Sequence, residues 1–409
     1  MATSSGARET GSGFGASPNC MTDTQVAGTL DIARWRAEIP LLQHVIPMNH
    51  CSQAPLTSRT RAAALRYLDS WDEAGMDWDA WLNEVEEARR AFADLIGAAP
   101  EDVALTTSVS EAVSSLASAL DYRGDRNTVL ISGAEFPTVR HVWLAQEARG
   151  AVVREVPVVE GAIETDAWEG RIDERVLLVS ACHAYYQNGF VQDVASIAHQ
   201  AHAQGALLFV DAYQTLGTRS IDVRNLGVDF LASGCLKFLL GTAGLAFLYV
   251  RPELVDSLRP AVTGWFGRAE PFSFDGGPLD WAASARRFET GTPPLMNAYV
   301  CRAGMDIIRE AGPERVQEAH LQLSSRLLEG GAERGLTLHG IADPHRKTVS
   351  TAFTIPPECG IDSEEVGRRL LDKRIIGSPR GPAIRLAPHF YTTADEVDMA
   401  LDSLADIMA

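Results

Sequence analysis

Between residues 103 and 250, short apolar runs alternate with segments whose apolar positions recur every three or four residues. Val103–Thr106, Thr128–Ser132, Ala151–Pro157, Arg175–Ser180, 206–210, 228–232 and 244–250 read as strands, and 110–120, 138–148 and 193–204 as helices. Strands alternating with helices imply a mostly parallel central sheet with helices on both faces. Upstream, Leu30–Ala37 reads as a short amphipathic helix. Residues 58–96 form a long helical stretch interrupted near Gly75, with Trp81, Val85, Ala88 and Phe92 at helical spacing. From about residue 300 the pattern changes. Helices near 301–311 and 313–335, an apolar run Thr348–Ile355, a helix at 362–373, a short strand Ala383–Ala387 and a helix at 393–408 describe a smaller α+β unit. The pattern predicts an α/β protein with a large domain over 49–285 and a small C-terminal domain over 286–409.

Composition narrows the function classes. A chain of 409 residues is long for one simple core. Its 36 basic against 54 acidic side chains, a net −18, disfavour nucleic acid and anionic membrane surfaces as partners. No window approaches the roughly 18 consecutive apolar residues of a membrane span. The six cysteines show no CxxC pair and no metal-type spacing, so no metal site is expected. Cys182 and Cys235 lie in apolar stretches and read as buried thiols of a reducing compartment, which points to the cytoplasm. Residues 1–25, rich in Ser, Gly, Ala and Thr, read as a disordered tail without the apolar core of a signal peptide, and Met21 is an alternative start.

Two residues interrupt apolar runs in a way that suggests chemistry. Lys237 lies within Phe230–Gly241, and an ammonium there loses hydration, so its pKa falls and it becomes nucleophilic. Such a lysine can condense with an aldehyde cofactor. A lysine whose stem covers the core while its head reaches water is the plain alternative. Asp211 closes the run Gly205–Val210, which reads as a buried parallel strand with the acid at its carboxyl end, where ligands of open α/β sheets bind. A carboxylate there can pair with a protonated pyridine nitrogen. Taken singly, it could equally be a helix cap or a metal ligand. Gln214, one turn later, can donate to a phenolate oxygen.

The string Asp211-Ala-Tyr-Gln214-Thr-Leu-Gly217, then Ile221-Asp-Val, Leu226-Gly-Val-Asp-Phe230 and Lys237-Phe-Leu-Leu-Gly241, resembles the class V aminotransferase group of fold-type I pyridoxal-phosphate enzymes. That group includes cysteine desulfurases, kynureninases, epimerases and C–S lyases. The likeness runs from about Asn49 to the C-terminus. It implies pyridoxal 5'-phosphate as cofactor, Lys237 as its attachment point, and an N-terminal segment 26–48 packed on the small domain. Ser108, Ser110 and the Val109 amide match the phosphate site, although Ser-Val stands where the group often has Gly-Thr; a serine helix cap is the alternative. Phe136 matches the aromatic ring stacked on the pyridine, or is a core phenylalanine. His183 matches a histidine beside Asp211 or the ring, or is a satisfied core histidine. The position before the lysine, often His in the group, is Leu236. Gly291 and Thr292 match the segment that reaches the phosphate of a neighbouring subunit, which implies a homodimer with shared active sites.

On the substrate side, Arg385 in Ile384-Arg-Leu-Ala-Pro-His389 matches the arginine that clamps an amino acid's α-carboxylate, a task its planar fork suits. A strand-end arginine in a surface ion pair is the alternative. His50 and Gln53, in Met48–Pro55, match the substrate-facing segment, or belong to a simple turn, and Cys51 between them is a thiol to follow. The loop Gly377–Pro382 lacks the sulfur-accepting cysteine of the desulfurases. The resemblance therefore favours β-elimination by a C–S lyase on an S-substituted cysteine, in secondary metabolism such as antibiotic biosynthesis. Transamination or decarboxylative oxidative deamination uses the same machinery, and a cofactor-free binding protein on this fold is a further alternative.

Overall fold

The computed structural model describes residues 30–409, so the tail expected over 1–25 lies outside the described residues. After a short helix α1 (Ile32–Ala37), the helical stretch 58–96 forms two helices, α2 (Ser58–Ala74) and α3 (Trp78–Ile96). A reciprocal cap between Thr57 and Thr60 starts α2, and Gly75, with φ +69°, ends it. Asp77 then caps α3 by accepting from the Ala80 N–H.

Seven strands form the central sheet: β1 (Val103–Thr106), β2 (Thr128–Ser132), β3 (Val152–Val156), β4 (Val176–Cys182), β5 (Leu207–Asp211), β6 (Phe230–Gly234) and β7 (Ala246–Val250). Their order is β1-β7-β6-β5-β4-β2-β3. Only β7 runs antiparallel to its neighbours, β1 and β6. That reversal matters for the site: it makes the β6–β7 connection, which carries Lys237, turn at the same sheet edge where β5 ends in Asp211.

Alternate residues of the buried strands feed two cores. Leu208 and Val210 join Phe92 of α3 and Ile197 of helix α6 (Val194–Ala203) on one face. Phe209 joins Leu116 of α4 (Val109–Ala119) and Trp143 of α5 (Pro137–Ala145) on the other. The expected helix 138–148 thus stops at Ala145 and tightens into a 3-10 turn. Helix α7 (Leu295–Ala311) begins six residues earlier than the pattern placed it, directly after Pro293-Pro294, and packs along α2 and α3.

A second sheet pairs β8 (Thr351–Thr354), β9 (Ser378–Arg380) and β10 (Ala383–Leu386) antiparallel in the order β9-β10-β8. Helices α8 (Pro313–Glu333), α9 (Ser363–Asp372) and α10 (Ala394–Met408) pack around it. Residues 377–382, expected as a loop, are instead largely a hairpin turning at Gly381 (φ +55°). Pro379 is tolerated because β9 is an edge strand. The N-terminal segment reaches this unit: Arg36 pairs with Glu396 of α10 at 2.7 Å, and Ile46–Pro47 pairs with Ile375–Ile376. Among the described residues no helix is long and apolar enough to cross a membrane, and no cluster of three metal-ligating side chains occurs.

Candidate active site

A cavity of about 380 Å³ opens at the carboxyl edge of the central sheet, and Lys237 and Asp211 both line it. The Lys237 Nζ lies 4.2 Å from the centre of the Tyr213 ring and 5.9 Å from that of Phe136. Burial pulls its pKa down to about 8; the charge of Asp211 pulls back, while Arg385 and Arg380 push it lower. Asp211 is buried, and its Oδ1 accepts the Tyr213 N–H at 2.9 Å. Burial raises its pKa, and the Tyr213 N–H and the Lys237 amine restrain that rise. Behind it lies a second acid. Glu135 accepts from Ser180 Oγ at 2.9 Å, and burial followed by the charge of Asp211 lifts its pKa far above the carboxylate range. Both acids are thus pushed towards the neutral form by burial, and of the two Asp211 has the Tyr213 N–H and the Lys237 amine favouring its charge.

The N-terminus of α4 forms one end of the cavity. Ser108 caps the helix by accepting the Glu111 N–H at 3.1 Å, and the first-turn N–H groups of Val109 and Ser110 have no helical partner. Ser110 Oγ donates to Thr138 Oγ1 at 3.2 Å. Glu111 engages both the N–H and the hydroxyl of Thr107, so Thr107 lines the cavity with its donors already used.

Arg385 sits on β10, buried. It donates to the Tyr186 carbonyl and to the hydroxyls of Ser52 and Ser378, and its Nε has no partner. With no carboxylate in contact, hydroxyls hold the guanidinium in place. The surface ion pair that was the alternative for this arginine is absent among the described residues. Gln214 donates one amide hydrogen to the Cys51 carbonyl at 3.0 Å and leaves its Oε1 buried without a partner in the same wall.

Several expected residues stand elsewhere. His50 is fully buried. Its Nδ1–H donates to the Ala387 carbonyl at 2.8 Å, so its Nε2 accepts from the Tyr391 hydroxyl at 2.5 Å, and burial lowers its pKa to about 4. It packs against Phe238 and His389 in the core, away from the cavity wall. Gln53 is exposed and caps the Ala54 carbonyl. The His183 side chain is buried off the wall, with its pKa lowered to about 4 by burial and then by Arg219. Only its main-chain N–H meets the Asp211 carbonyl, at 2.8 Å. Strand alternation explains this: Cys182 pairs with Asp211 and, with Ala184, takes the cavity-facing positions. Gly291 and Thr292 are exposed and outside the wall. Phe136 does line it, 43% exposed.

Pattern reading took Cys182 for a buried thiol and did not single out Tyr186, Tyr213 or Arg380; all four line the cavity. The Tyr213 ring occupies space that a side chain at position 234 would fill, since a Cβ on Gly234 would come within 2.4 Å of it.

One cavity thus presents a deprotonatable amine, a buried carboxylate and a helix N-terminus with open N–H donors. That set fits the aldehyde, the pyridine nitrogen and the phosphate of pyridoxal 5'-phosphate, and it marks an α/β protein of the cofactor-binding kind. A family model, Aminotransferase class-V, matches residues 78–383. An uncharacterised aminotransferase, YcbU, of Bacillus subtilis (strain 168) is 37% identical across 91% of this chain and 97% of its own. A probable cysteine desulfurase of Methanothermobacter thermautotrophicus is 28% identical over 91% and 97%. The apo structure of a cysteine desulfurase from Thermococcus onnurineus NA1 shares the fold, with a TM-score of 0.83 at 23% identity, covering 93% of this chain and 99% of that one. The chain belongs to the class V aminotransferase family of pyridoxal-phosphate-dependent enzymes.

Proposed function

We propose that this chain is a C–S lyase that performs β-elimination on an S-substituted cysteine. The observation that carries the reading is a single cavity in which Lys237, Asp211 and Arg385 converge. Ser108, Ser110 and the Val109 N–H would hold the cofactor phosphate, Phe136 would cover the ring, the second amide hydrogen of Gln214 would reach its oxygen, and Asp211 would keep the pyridine nitrogen protonated. When bound, the cofactor supplies an aldehyde for the substrate amine and a ring that takes up the electron pair released at Cα. Lys237 would carry the cofactor on its amine. The same amine would take the substrate α-proton, a task its lowered pKa suits near neutral pH. Arg385 takes the α-carboxylate on its two free donors and on those that Ser52 and Ser378 now occupy. A thiolate then leaves Cβ, and hydrolysis gives pyruvate and ammonia. The hairpin Gly377–Pro382 carries no cysteine to capture the sulfur, which supports elimination without persulfide transfer.

The test loads the protein with cofactor, adds S-substituted cysteines and measures pyruvate and thiol. One pyruvate per thiol over many turnovers is expected. A pyridoxamine form that accumulates in proportion to protein, without pyruvate, contradicts the reading. That outcome is transamination, the second reading, and the name of the 37% identical Bacillus protein favours it.

We also propose a homodimer in which residues 290–292 reach the neighbouring active site. Support comes from the exposure of Gly291 and Thr292 and from an apolar stripe on α2, where Leu65, Leu68 and Trp71 are each about half exposed. Among the described residues four free thiols are buried, Cys51, Cys182, Cys235 and Cys301, which supports a reducing, cytoplasmic setting.

A further inference from the structure

The cavity contains two arginines, and an α-carboxylate accounts for one of them. In the β9–β10 hairpin Ser378 stands opposite Arg385, and Arg380 lies two residues further towards the tip. Directly paired residues, and residues two apart, share one face of a sheet. Arg380, Ser378 and Arg385 therefore share one face, and both arginines line the cavity. Diagonal neighbours of this kind stand roughly 7–8 Å apart, so a molecule held by Arg385 extends naturally towards Arg380.

The arm is rigid. Pro379 and Pro382 flank the tip, and Gly367 of α9 lies so close that a Cβ there would come within 2.7 Å of the Pro379 ring. The Arg380 guanidinium lies 5.8 Å from the centre of the Tyr186 ring, and that ring meets Phe136 edge-on at 5.2 Å. Tyr186 thus stands between the two arginines, since its carbonyl accepts from Arg385. Among the described residues no carboxylate forms an ion pair with Arg380. Asp211 is the single acid on the wall, against Lys237, Arg380 and Arg385. Arg380 is exposed at the rim, so its guanidinium is free to meet an anionic group that extends out from Arg385.

We propose that Arg380 binds a second anionic group at the end of the substrate side chain, so that the preferred substrate is an S-substituted cysteine whose substituent ends in a carboxylate. The proposal rests on the reading of the cavity as an amino-acid site. Its test compares an isosteric pair, S-(2-carboxyethyl)-L-cysteine and S-(2-carbamoylethyl)-L-cysteine. KM and kcat are measured by thiol release on the cofactor-loaded protein, and dissociation constants by calorimetry on the protein without cofactor, where neither compound turns over. A charge-assisted hydrogen bond predicts that the acid binds about tenfold or more tighter than the amide. Arg380→Gln is expected to bring the two within about twofold by weakening the acid alone, with kcat little changed, and Arg380→Lys to restore part of the preference. Equal binding of the pair by the unaltered protein overturns the proposal, as does an equal loss for both ligands in Arg380→Gln. If the cofactor proves not to attach at Lys237, the reading of the reaction fails, while the calorimetric preference for the acid still decides the role of Arg380.

Discussion

Two opposing effects set the state of the Lys237 amine. Burial disfavours its charge and the Asp211 carboxylate favours it, and burial wins, leaving the pKa at about 8 instead of 10.5. The neutral amine is the nucleophile, so cofactor uptake by the apo protein should accelerate as pH rises and level off above about 8. A rate independent of pH between 6 and 9 (about three decades in proton activity) would contradict this. Asp211→Asn removes the charge that holds the pKa up, so the uptake profile should move to lower pH while turnover falls by about 10² or more. Stopped-flow absorbance reads the first effect and product release the second. Both residues were legible in the sequence because each interrupts an apolar run. His50 was not: what decides its role is a hydroxyl at Tyr391 and a carbonyl at Ala387, more than three hundred residues away. His183 could have been resolved, since the alternation that makes β5 end in Asp211 turns Cys182, its strand partner, towards the cavity.

At the scale of elements, the cavity depends on how helices and turns end. Ser108→Ala removes the cap of α4 and one phosphate-site hydroxyl together. A stability loss of about 1 kcal/mol with weakened cofactor binding is expected, from thermal unfolding of the apo and loaded forms. An unfolding temperature equal to that of the parent would show that the cap contributes nothing. Gly217, at φ +83°, stands so close to the chain beside Lys237 that a Cβ would lie 2.3 Å from the Phe238 carbonyl oxygen. Gly217→Ala should therefore displace the Lys237 segment and lower both stability and cofactor uptake, which circular dichroism and absorbance titration detect. The alternation of strands and helices was readable because each strand is a continuous apolar run. The β9 strand was hidden because Gly377, Pro379, Gly381 and Pro382 carry the composition of a loop, and its partner β10 decides the matter from outside. Arg380 stayed out of view for the same reason.

Across the whole molecule, one buried ion pair ties the segment that carries Gly291 and Thr292 to the sheet. Arg89 of α3 donates to Glu289 at 2.6 Å and to the Val103 carbonyl, and Glu289 also accepts the Leu105 N–H. Arg89→Met leaves Glu289 buried with only the partly exposed Arg286, 4.0 Å away, as a cation and should cost about 3 kcal/mol, read by denaturant unfolding; a loss below about 1 kcal/mol would mean the pair behaves as an exposed one. The same segment is expected at a subunit boundary, so light scattering should report twice the 44.2 kDa chain mass. The most direct measurement of the whole account uses a property of the 409 residues: their lysines are at positions 237, 347 and 373 alone. Lys347 is also buried, with its pKa lowered to about 7, chiefly by burial, and it hydrogen-bonds to Ser350 and Thr351 well outside the cavity. It is a built-in control. Borohydride reduction of the cofactor-loaded protein followed by peptide mass mapping should find the cofactor on Lys237 and on neither of the others. An adduct at Lys347 or Lys373, or an unmodified Lys237 in protein that has bound cofactor, would contradict the assignment.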